Sequence, residues 1–195
     1  MAHGTAIVRR ISTIGAIAAA TAATLAGCGA VAHSAAPSPA QLRADLRGSP
    51  PQLAALHRQA NQLLGGGAPA MAARLRALRG TPVVVTQWGS WCEACQLEYP
   101  YFQQLSAQLG SRVAFIGNDV KDSTSGAKGW MRRFPVSFPS YSDPDGNGAL
   151  ALSRFYALDT PVTYLYTRKG VQYAHVGKYL SEHALRQEIR RYLGV

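Results

Sequence analysis

The segment WGSWCEACQLEYP, residues 88–100, contains two of the chain's three cysteines, Cys92 and Cys95, separated by two residues. It overlaps the short β-branched run VVVTQW at 83–88, which predicts a buried strand. Residues 93–109 predict a helix that ends at Gly110. The cysteine pair therefore lies where a buried strand passes into the start of a helix. A cysteine pair at that position could form a metal site, a structural disulfide or a redox-active dithiol.

A metal site is disfavoured by the number of available ligands. A structural zinc site needs four ligands, usually two cysteine pairs or one pair with two closely spaced histidines. The chain has one such pair, and His57, His175 and His183 are not closely spaced as ligands would be. Haem attachment would require a histidine directly after Cys95, where Gln96 stands. We therefore expect no metal and no cofactor.

The two remaining interpretations of the pair are a structural disulfide and reversible redox chemistry. A structural disulfide suits an exported protein, but a bond that closes so short a loop restricts the unfolded chain little. The unpaired N–H groups and the dipole at a helix start favour a thiolate, which suits redox chemistry. We expect Cys92 to be the exposed nucleophile and Cys95 the shielded resolving thiol. Trp88 and Trp91 are predicted to give the pair a flat apolar surround.

The periodicity of the rest of the chain predicts an α/β fold. Helices are predicted at 40–64 (broken at Pro50 and Pro51), 70–78, 123–133, 149–156 and 182–193, and further strands at 113–116, 163–166 and 171–176. The last two strands form a hairpin. This order implies a central mixed β-sheet with an antiparallel edge and helices on both faces.

The N-terminal sequence predicts export. Arg9 and Arg10 precede an uncharged, apolar run at residues 11–26, which is shorter than a membrane-spanning helix. The sequence LAGC that ends at Cys28 resembles the lipobox of bacterial lipoproteins. The resemblance implies that residues 1–27 are a cleaved signal peptide and that Cys28 carries a diacylglyceryl thioether. An ordinary signal peptide or an uncleaved anchor are the alternatives.

The chain thus divides into four predicted parts. Residues 1–27 are the signal peptide, 28–39 a flexible tether of small residues and proline, 40–79 an N-terminal helical extension, and 80–195 the domain that carries the cysteine pair. The formal net charge of the 195 residues is +10, with Lys and Arg spread along the sequence. We therefore expect a solvated basic surface and no nucleic-acid partner.

The residues around the pair resemble a known family. The run from Trp91 to Cys95 after a Val-rich strand resembles the thioredoxin fold, and WCEACQLEYP is similar to the TlpA/ResA branch of membrane-tethered thiol-disulfide oxidoreductases. Three features agree: Thr160-Pro161 stands where this fold keeps a cis-proline, Gly177 follows the last strand, and the stretch 118–150 is longer than thioredoxin needs. The resemblance covers about residues 80–195.

The resemblance assigns roles to further residues. Glu98 lies one helical turn beyond Cys95, where a carboxylate with a raised pKa would accept the Cys95 proton. Thioredoxin uses a buried aspartate on the strand, at the position of Thr86 here, so the base is expected to have moved to the helix. A solvated surface charge is the alternative for Glu98. Pro161 is expected to be cis and to leave the Thr160 backbone free to pair with a substrate peptide, a trans proline being the alternative.

Two residues inside the motif depart from the family pattern. Ala94 replaces the usual proline, which loosens the turn between the cysteines. Glu93 places a negative charge beside the Cys92 thiolate, and like charges raise a thiol pKa, whereas the helix start favours that same carboxylate. If the repulsion prevails, the reduced form is less stabilised. We therefore expect a reductant or a mild exchanger, not a strong oxidant.

The predicted function is that of an extracytoplasmic, lipid-anchored thiol-disulfide oxidoreductase of the cell envelope. Its substrates would be cysteine-containing exported proteins, with cytochrome c apoproteins implied by the family, and its electron donor or acceptor would lie in the membrane. The alternative is a non-catalytic thioredoxin-fold module with a structural disulfide, in which Trp88 and Trp91 bind a peptide. A thiol peroxidase is a weaker alternative, because those enzymes lack the W-C-x-x-C arrangement.

Overall fold

The computed structural model describes residues 1, 36–153, 159–170 and 172–195. Its helices are α1 (Pro39–Asp45), α2 (Pro51–His57), α3 (Gly67–Ala77), α4 (Glu93–Leu109), α5 (Thr124–Arg133), α6 (Asn147–Leu152) and α7 (Glu182–Leu193). Its strands are β1 (Leu63–Leu64), β2 (Val83–Trp88), β3 (Ala114–Val120), β4 (Ser140–Asp143), β5 (Val162–Tyr166) and β6 (Gln172–Val176).

The strands form one mixed sheet in the order β1-β4-β3-β2-β5-β6. The four strands β1, β4, β3 and β2 are parallel, and β5 runs antiparallel between β2 and β6. All six residues of the central strand β2 are buried, because it is covered on both faces. The predicted mixed sheet with an antiparallel edge is confirmed.

Alternation along β2 divides the core into two layers. Val84 and Trp88 face a layer formed with α4, α5 and α7, whereas Val83 and Val85 face a layer formed with α2, α3 and α6. This follows from the two-residue repeat of a strand, which sends successive side chains to opposite faces. Helices therefore cover both faces of the sheet, as the sequence predicts.

Strand direction gives the sheet two distinct ends. The strands β2, β3, β4 and β6 finish, and β5 begins, at the end where β2 runs into Cys92; we call it the disulfide end. The connections from α3 to β2, from α4 to β3 and from β5 to β6 lie at the other end. The site is built at the disulfide end, which is where ligands bind in open α/β sheets.

The structure corrects several predicted elements. Residues 40–79 are not purely helical, because β1 joins the sheet beside β4, and the sequence predicts neither strand. Strand β3 extends to Val120, four residues past its predicted end, because Gly117 to Val120 pair with β4. The predicted helix 149–156 is α6, and residues 154–158 lie outside the described residues, as do the predicted signal peptide and Cys28.

Candidate active site

The cysteine pair forms a disulfide at the start of α4. Cys92 is the N-terminal capping residue of the helix, and its sulfur accepts a hydrogen bond from the Cys95 backbone N–H at 3.1 Å. That N–H is one of the donors that a helix start leaves without an intrahelical partner. The same donor, together with the helix dipole, stabilises a thiolate on Cys92 when the disulfide is opened.

The exposure of Cys92 differs from the prediction, whereas that of Cys95 agrees with it. Cys95 is fully buried, as expected, but Cys92 is only 4% exposed in this disulfide form. Of the two motif residues between them, Glu93 is exposed and Ala94 is partly buried against the core.

Glu98 lies one turn beyond Cys95 on the same helix and is buried, with 1% of its surface exposed. Its Oε2 accepts a hydrogen bond from the Tyr179 backbone N–H at 2.7 Å. Burial raises the pKa of Glu98 to about 8, against the lowering effects of that N–H and of the Lys178 charge. The surface-charge alternative for Glu98 is therefore wrong, and the carboxyl holds a proton near neutral pH.

Tyr179 is itself held by two side chains. Its hydroxyl donates to Glu188 Oε2 at 2.8 Å, and its ring stacks on His175 with ring centroids 3.9 Å apart. His175 Nδ1 also contacts Glu188 Oε1 at 3.0 Å. This cluster fixes the backbone N–H that reaches Glu98. The sequence did not single out Tyr179, because a backbone donor leaves no signal in the residue type.

Pro161 follows a cis peptide bond with Thr160, as predicted. It directly precedes β5, whose first residue Val162 pairs with Gln87 near the end of β2. The proline is buried, and its carbonyl accepts a hydrogen bond from the Gly177 N–H at 3.0 Å. The cis-proline segment thus lies at the disulfide end, beside the strand that leads into the cysteine pair.

The two tryptophans of the motif lie in different environments. Trp91 is 53% exposed, and its indole N–H donates to the Val120 carbonyl at 3.3 Å. Its ring passes so close to Gly89 that a Cβ there would lie 2.5 Å from the indole nitrogen. Trp88 is completely buried and stacks on Trp130 with centroids 5.3 Å apart. Trp88 is therefore not available to bind a peptide together with Trp91, as the alternative function of a binding module requires.

Asp122 holds the loop between Trp88 and Cys92. Its Oδ2 accepts the Ser90 backbone N–H at 2.6 Å, and its Oδ1 accepts the Ser90 hydroxyl at 2.9 Å. Together with the Trp91 hydrogen bond, these contacts attach the active-site loop to the connection between β3 and α5. The sequence did not identify Asp122 as a site residue.

A second buried carboxyl, Asp119, lies on β3 directly beside Trp88 of β2. It is 1% exposed, and no N–H or O–H donor among the described residues reaches either of its oxygens. Burial raises the pKa of Asp119 to about 8, and the negative charge of Asp122, a side-chain hydrogen bond with Asp122 that favours protonated Asp119, and the charge of Asp143 act in the same direction. The sequence missed it because the predicted strand ended three residues earlier.

The structure therefore gathers most of the predicted site at one end of the sheet. Cys92, Cys95, Glu98 and the Thr160-Pro161 bond lie there, with Trp91 at the surface and Trp88 beneath. Cys28 lies outside the described residues. Among the residues that the structure describes, no helix has the length and apolar character needed to cross a membrane.

Comparison with protein families matches residues 67–173, more than half of the chain, to the family described as AhpC/TSA. The chain is also similar to thiol:disulfide interchange protein DsbE of Pseudomonas aeruginosa, with 34% identity over 95 residues covering 48% of this chain and 49% of that protein. DsbE of Escherichia coli is 35% identical over 100 residues, 51% of each chain. The chain thus spans about half the length of these curated relatives.

Solved structures give the same picture of the fold. A putative DsbE from Chlorobium tepidum superposes with a TM-score of 0.54 at 26% identity, covering 62% of this chain and 85% of that chain. The structure described as MTB dsbF superposes with a TM-score of 0.55 at 24% identity, covering 60% and 84%. Together these likenesses confirm the predicted thioredoxin-like fold.

Proposed function

The chain belongs to the AhpC/TSA family, and from that premise we propose that it is a protein thiol-disulfide oxidoreductase that uses Cys92 and Cys95. One observation carries the proposal: the disulfide begins a helix whose next turn bears the buried, protonated Glu98. A purely structural disulfide has no need of a proton-carrying group one turn away. The similarity to the DsbE proteins supports the same activity.

In the first step the Cys92 thiolate attacks a disulfide sulfur of the substrate protein. A mixed disulfide forms between Cys92 and the substrate, and the other substrate sulfur leaves as a thiolate. The helix start and the Cys95 N–H stabilise the attacking anion. Cys92 is only 4% exposed in the disulfide form, so the attack requires its sulfur to be more accessible in the dithiol form.

In the second step Cys95 attacks the Cys92 sulfur, which restores the disulfide and releases the second substrate thiolate. Two electrons have then passed from the dithiol to the substrate. The Cys95 thiol must lose its proton to attack, and the acceptor on the same helix face is Glu98 in its ionised form, which a pKa of about 8 leaves as a minority at neutral pH. In the reverse direction a protonated Glu98 donates to Cys95 as that sulfur leaves, which suits its pKa of about 8.

We infer a redox bias from two residues of the motif. The exposed Glu93 in the first turn of α4 opposes the Cys92 thiolate by charge repulsion. Ala94 gives a looser turn than proline would. We therefore place the protein among reductants and mild exchangers. A reduction potential near the value of about −120 mV that characterises DsbA would contradict this assignment.

The cellular setting is proposed from the N-terminal sequence. A lipid on Cys28 would hold the domain at the outer face of the cell membrane, with residues 28–39 as the tether. The substrates are then cysteine-containing exported proteins, cytochrome c apoproteins among them, and the electron partner is a membrane protein. Metabolic labelling with palmitate tests the anchor, and a Cys28→Ser variant that keeps the label would contradict it.

Reduction of insulin in the presence of a dithiol donor tests the activity. The wild-type chain is expected to accelerate the reaction, and Cys92→Ser to abolish the acceleration. Cys95→Ala is expected to accumulate mixed disulfides with exported proteins, and mass spectrometry of these adducts identifies the substrates. Equal rates for the wild-type chain and Cys92→Ser would contradict the proposal.

The small exposure of Cys92 favours one alternative, a binding module with a structural disulfide. In that case Trp91, the exposed tryptophan beside the pair, would contact a peptide without any exchange. The insulin assay separates the two functions, because the module would be inactive while still binding peptides. The thiol peroxidase alternative is tested by replacing insulin with hydrogen peroxide and measuring the consumption of peroxide with the same dithiol donor.

A further inference from the structure

Positive charges that are spread along the sequence collect at one end of the folded domain. Three connections lie opposite the disulfide end, and their described residues are 78–82, 110–113 and 167–170. They contain Arg79, Arg112, Arg168 and Lys169 but no Asp or Glu. Arg76 in the last turn of α3 adds a fifth cation. All five side chains are exposed, and we call this group the basic end.

The basic end is contiguous across three neighbouring strands. Val83 of β2 pairs with Ala114 of β3 on one side and with Tyr166 of β5 on the other, so the three connections adjoin one another. The Arg168 guanidinium donates to the Gly80 carbonyl at 3.1 Å and links two of them. Charges on neighbouring strand ends lie within a Debye length of about 8 Å at physiological salt, and so they act together.

A cavity of about 470 Å³ opens in the middle of the basic end. Four of the five cations line it, namely Arg76, Arg79, Arg168 and Lys169, and no acidic residue does. Leu75, Leu78 and Tyr166 supply an apolar floor. Such a lining suits an anionic headgroup with apolar atoms attached, since Arg and Lys bind phosphate while the floor accepts hydrocarbon.

The disulfide end is mixed in charge. Its exposed and half-buried acids are Glu93, Asp122, Asp145 and Asp159, and its cations are Lys121, Lys178 and Arg133, which reaches Gln96. The six residues of β2 separate the two ends by roughly 20 Å, more than twice the Debye length. A negatively charged surface therefore attracts the basic end more strongly than the disulfide end. This difference favours one orientation of the domain on such a surface.

We propose that the basic end binds the phosphate groups of an anionic lipid surface, with the disulfide facing away from it. The predicted tether supports this occupant over others. Leu46, the residue that caps the end of α1, packs against Gly110 in the same connection as Arg112. Since α1 is about 10 Å long, the tether joins the domain near the basic end. The inference takes its membrane setting from the proposed function but does not depend on redox activity.

Such binding is electrostatic, so it must weaken with salt and with loss of the charges. Each Lys or Arg near an anionic bilayer contributes about fivefold to the partition constant. Four cations therefore account for more than tenfold, even when some of them are screened. The predicted tether of 12 residues, 28–39, would span roughly 40 Å at most if it were fully extended.

Vesicle binding of the full chain provides the first test. Partition is compared between phosphatidylcholine vesicles and vesicles with one third phosphatidylglycerol, so that attachment through the N-terminal segment is common to both. Anionic lipid is expected to raise the partition constant more than tenfold at low salt, and 0.5 M NaCl to remove the increase. Equal partition into the two kinds of vesicle would overturn the proposal.

A matched pair of variants separates the basic end from net charge. One replaces Arg76, Arg79, Arg168 and Lys169 by Gln; the control replaces Lys121, Lys128, Arg132 and Arg133 by Gln. Both lose four charges, and Arg133 of the control reaches Gln96 in the first turn of α4, at the disulfide end. The first is expected to lose the anionic-lipid increase and the control to keep most of it. Equal losses would contradict the proposal, whereas insulin reduction should be normal in both.

The four lysines of the chain allow orientation to be measured without mutation. Lys169 lies at the basic end, and Lys121, Lys128 and Lys178 lie elsewhere, all of them exposed. Acetylation on anionic vesicles, followed by mass spectrometry, is expected to show protection of Lys169 alone. Uniform protection would overturn the orientation. Tighter binding to a short DNA duplex than to these vesicles, with the same protection, would reassign the surface to nucleic acid.

Discussion

Two buried carboxyl groups lie near the disulfide, and they reach a similar pKa by different routes. Glu98 on α4 and Asp119 on β3 are each 1% exposed, and both have a pKa raised to about 8. Around Glu98, burial is opposed by the Tyr179 N–H and by the Lys178 charge. Around Asp119, burial is reinforced by two further carboxylates, and no donor reaches its oxygens among the described residues.

The difference shows which carboxyl is suited to proton transfer. Glu98 has a donor already aimed at its charged form, so it can ionise without rearrangement of its surroundings. Asp119 has none, and its ionised form would be buried beside like charges. We therefore expect Glu98, which shares the helix α4 with Cys95, to exchange a proton with that thiol, and Asp119 on β3 to take no part in the transfer.

The largest expected effect comes from replacing the two carboxyls by their amides. Glu98→Gln should slow the Cys95 step by about a hundredfold, because general acid–base catalysis is lost. Asp119→Asn, the matched control, should change the rate less than about threefold. Stopped-flow tryptophan fluorescence of the thiol-disulfide step measures both. If Asp119→Asn slowed the step as much as Glu98→Gln, the assignment of proton transfer to Glu98 alone would be wrong.

The second expected effect concerns stability as a function of pH. Both carboxyls have folded pKa values of about 8, above the unfolded values of 4.5 for Glu98 and 3.8 for Asp119. The folded disulfide form therefore binds more protons than the unfolded chain between these limits. The stability that the two carboxyls contribute is fully present below about pH 4. It is lost as the pH rises towards 8, by at most about 1.4 kcal/mol per pH unit for each group.

Urea unfolding of the disulfide form between pH 4 and pH 8 measures this loss. Glu98→Gln and Asp119→Asn should each reduce the slope of the free energy of unfolding against pH by the contribution of one carboxyl. The double variant should reduce that slope by twice as much. A wild-type stability that rises over this range would contradict the raised pKa of both carboxyls.

The sequence could predict one of these carboxyls but not the other. Glu98 was predictable because the helix repeat relates it to Cys95 and because the motif continues through Pro100. The family match and the similarity to DsbE confirm the predicted relationship with TlpA/ResA-like oxidoreductases. Asp119 was missed because Gly117, Asn118 and Asp119 have little strand propensity. They form a strand because β2 and β4 flank them on both sides.

Tertiary context also explains the other errors. Trp88 is in register with the inward-facing Val84, four residues before it, so the strand carries its ring into the core. The short strands β1 and β4 have two and four residues, too few for any periodic signal. The predicted roles of Cys92 and Cys95 stay predictions until the exchange reaction is measured.

A smaller effect is expected from the donor that distinguishes Glu98 from Asp119. Tyr179→Ala removes the ring that His175 and Glu188 hold, and so it frees the backbone N–H that reaches Glu98. The pKa of Glu98 should then rise, and the Glu98-dependent limb of the pH–rate profile should move up by about one unit. Tyr179→Phe keeps the stacked ring and should move the limb far less. Coincident profiles for the two variants would show that the side chain does not position the N–H.

The smallest expected effect arises on the Asp119 side and has the opposite sign. Asp122→Asn removes a negative charge near Asp119, while the amide oxygen can still accept one hydrogen bond from Ser90. The pKa of Asp119 should fall by a fraction of a unit, and that of Glu98 should stay where it is. Carboxyl carbon NMR shifts followed through the titration resolve the two groups. A common shift of both would mean that they titrate as one coupled pair, and the separate routes to their similar pKa values would then be wrong.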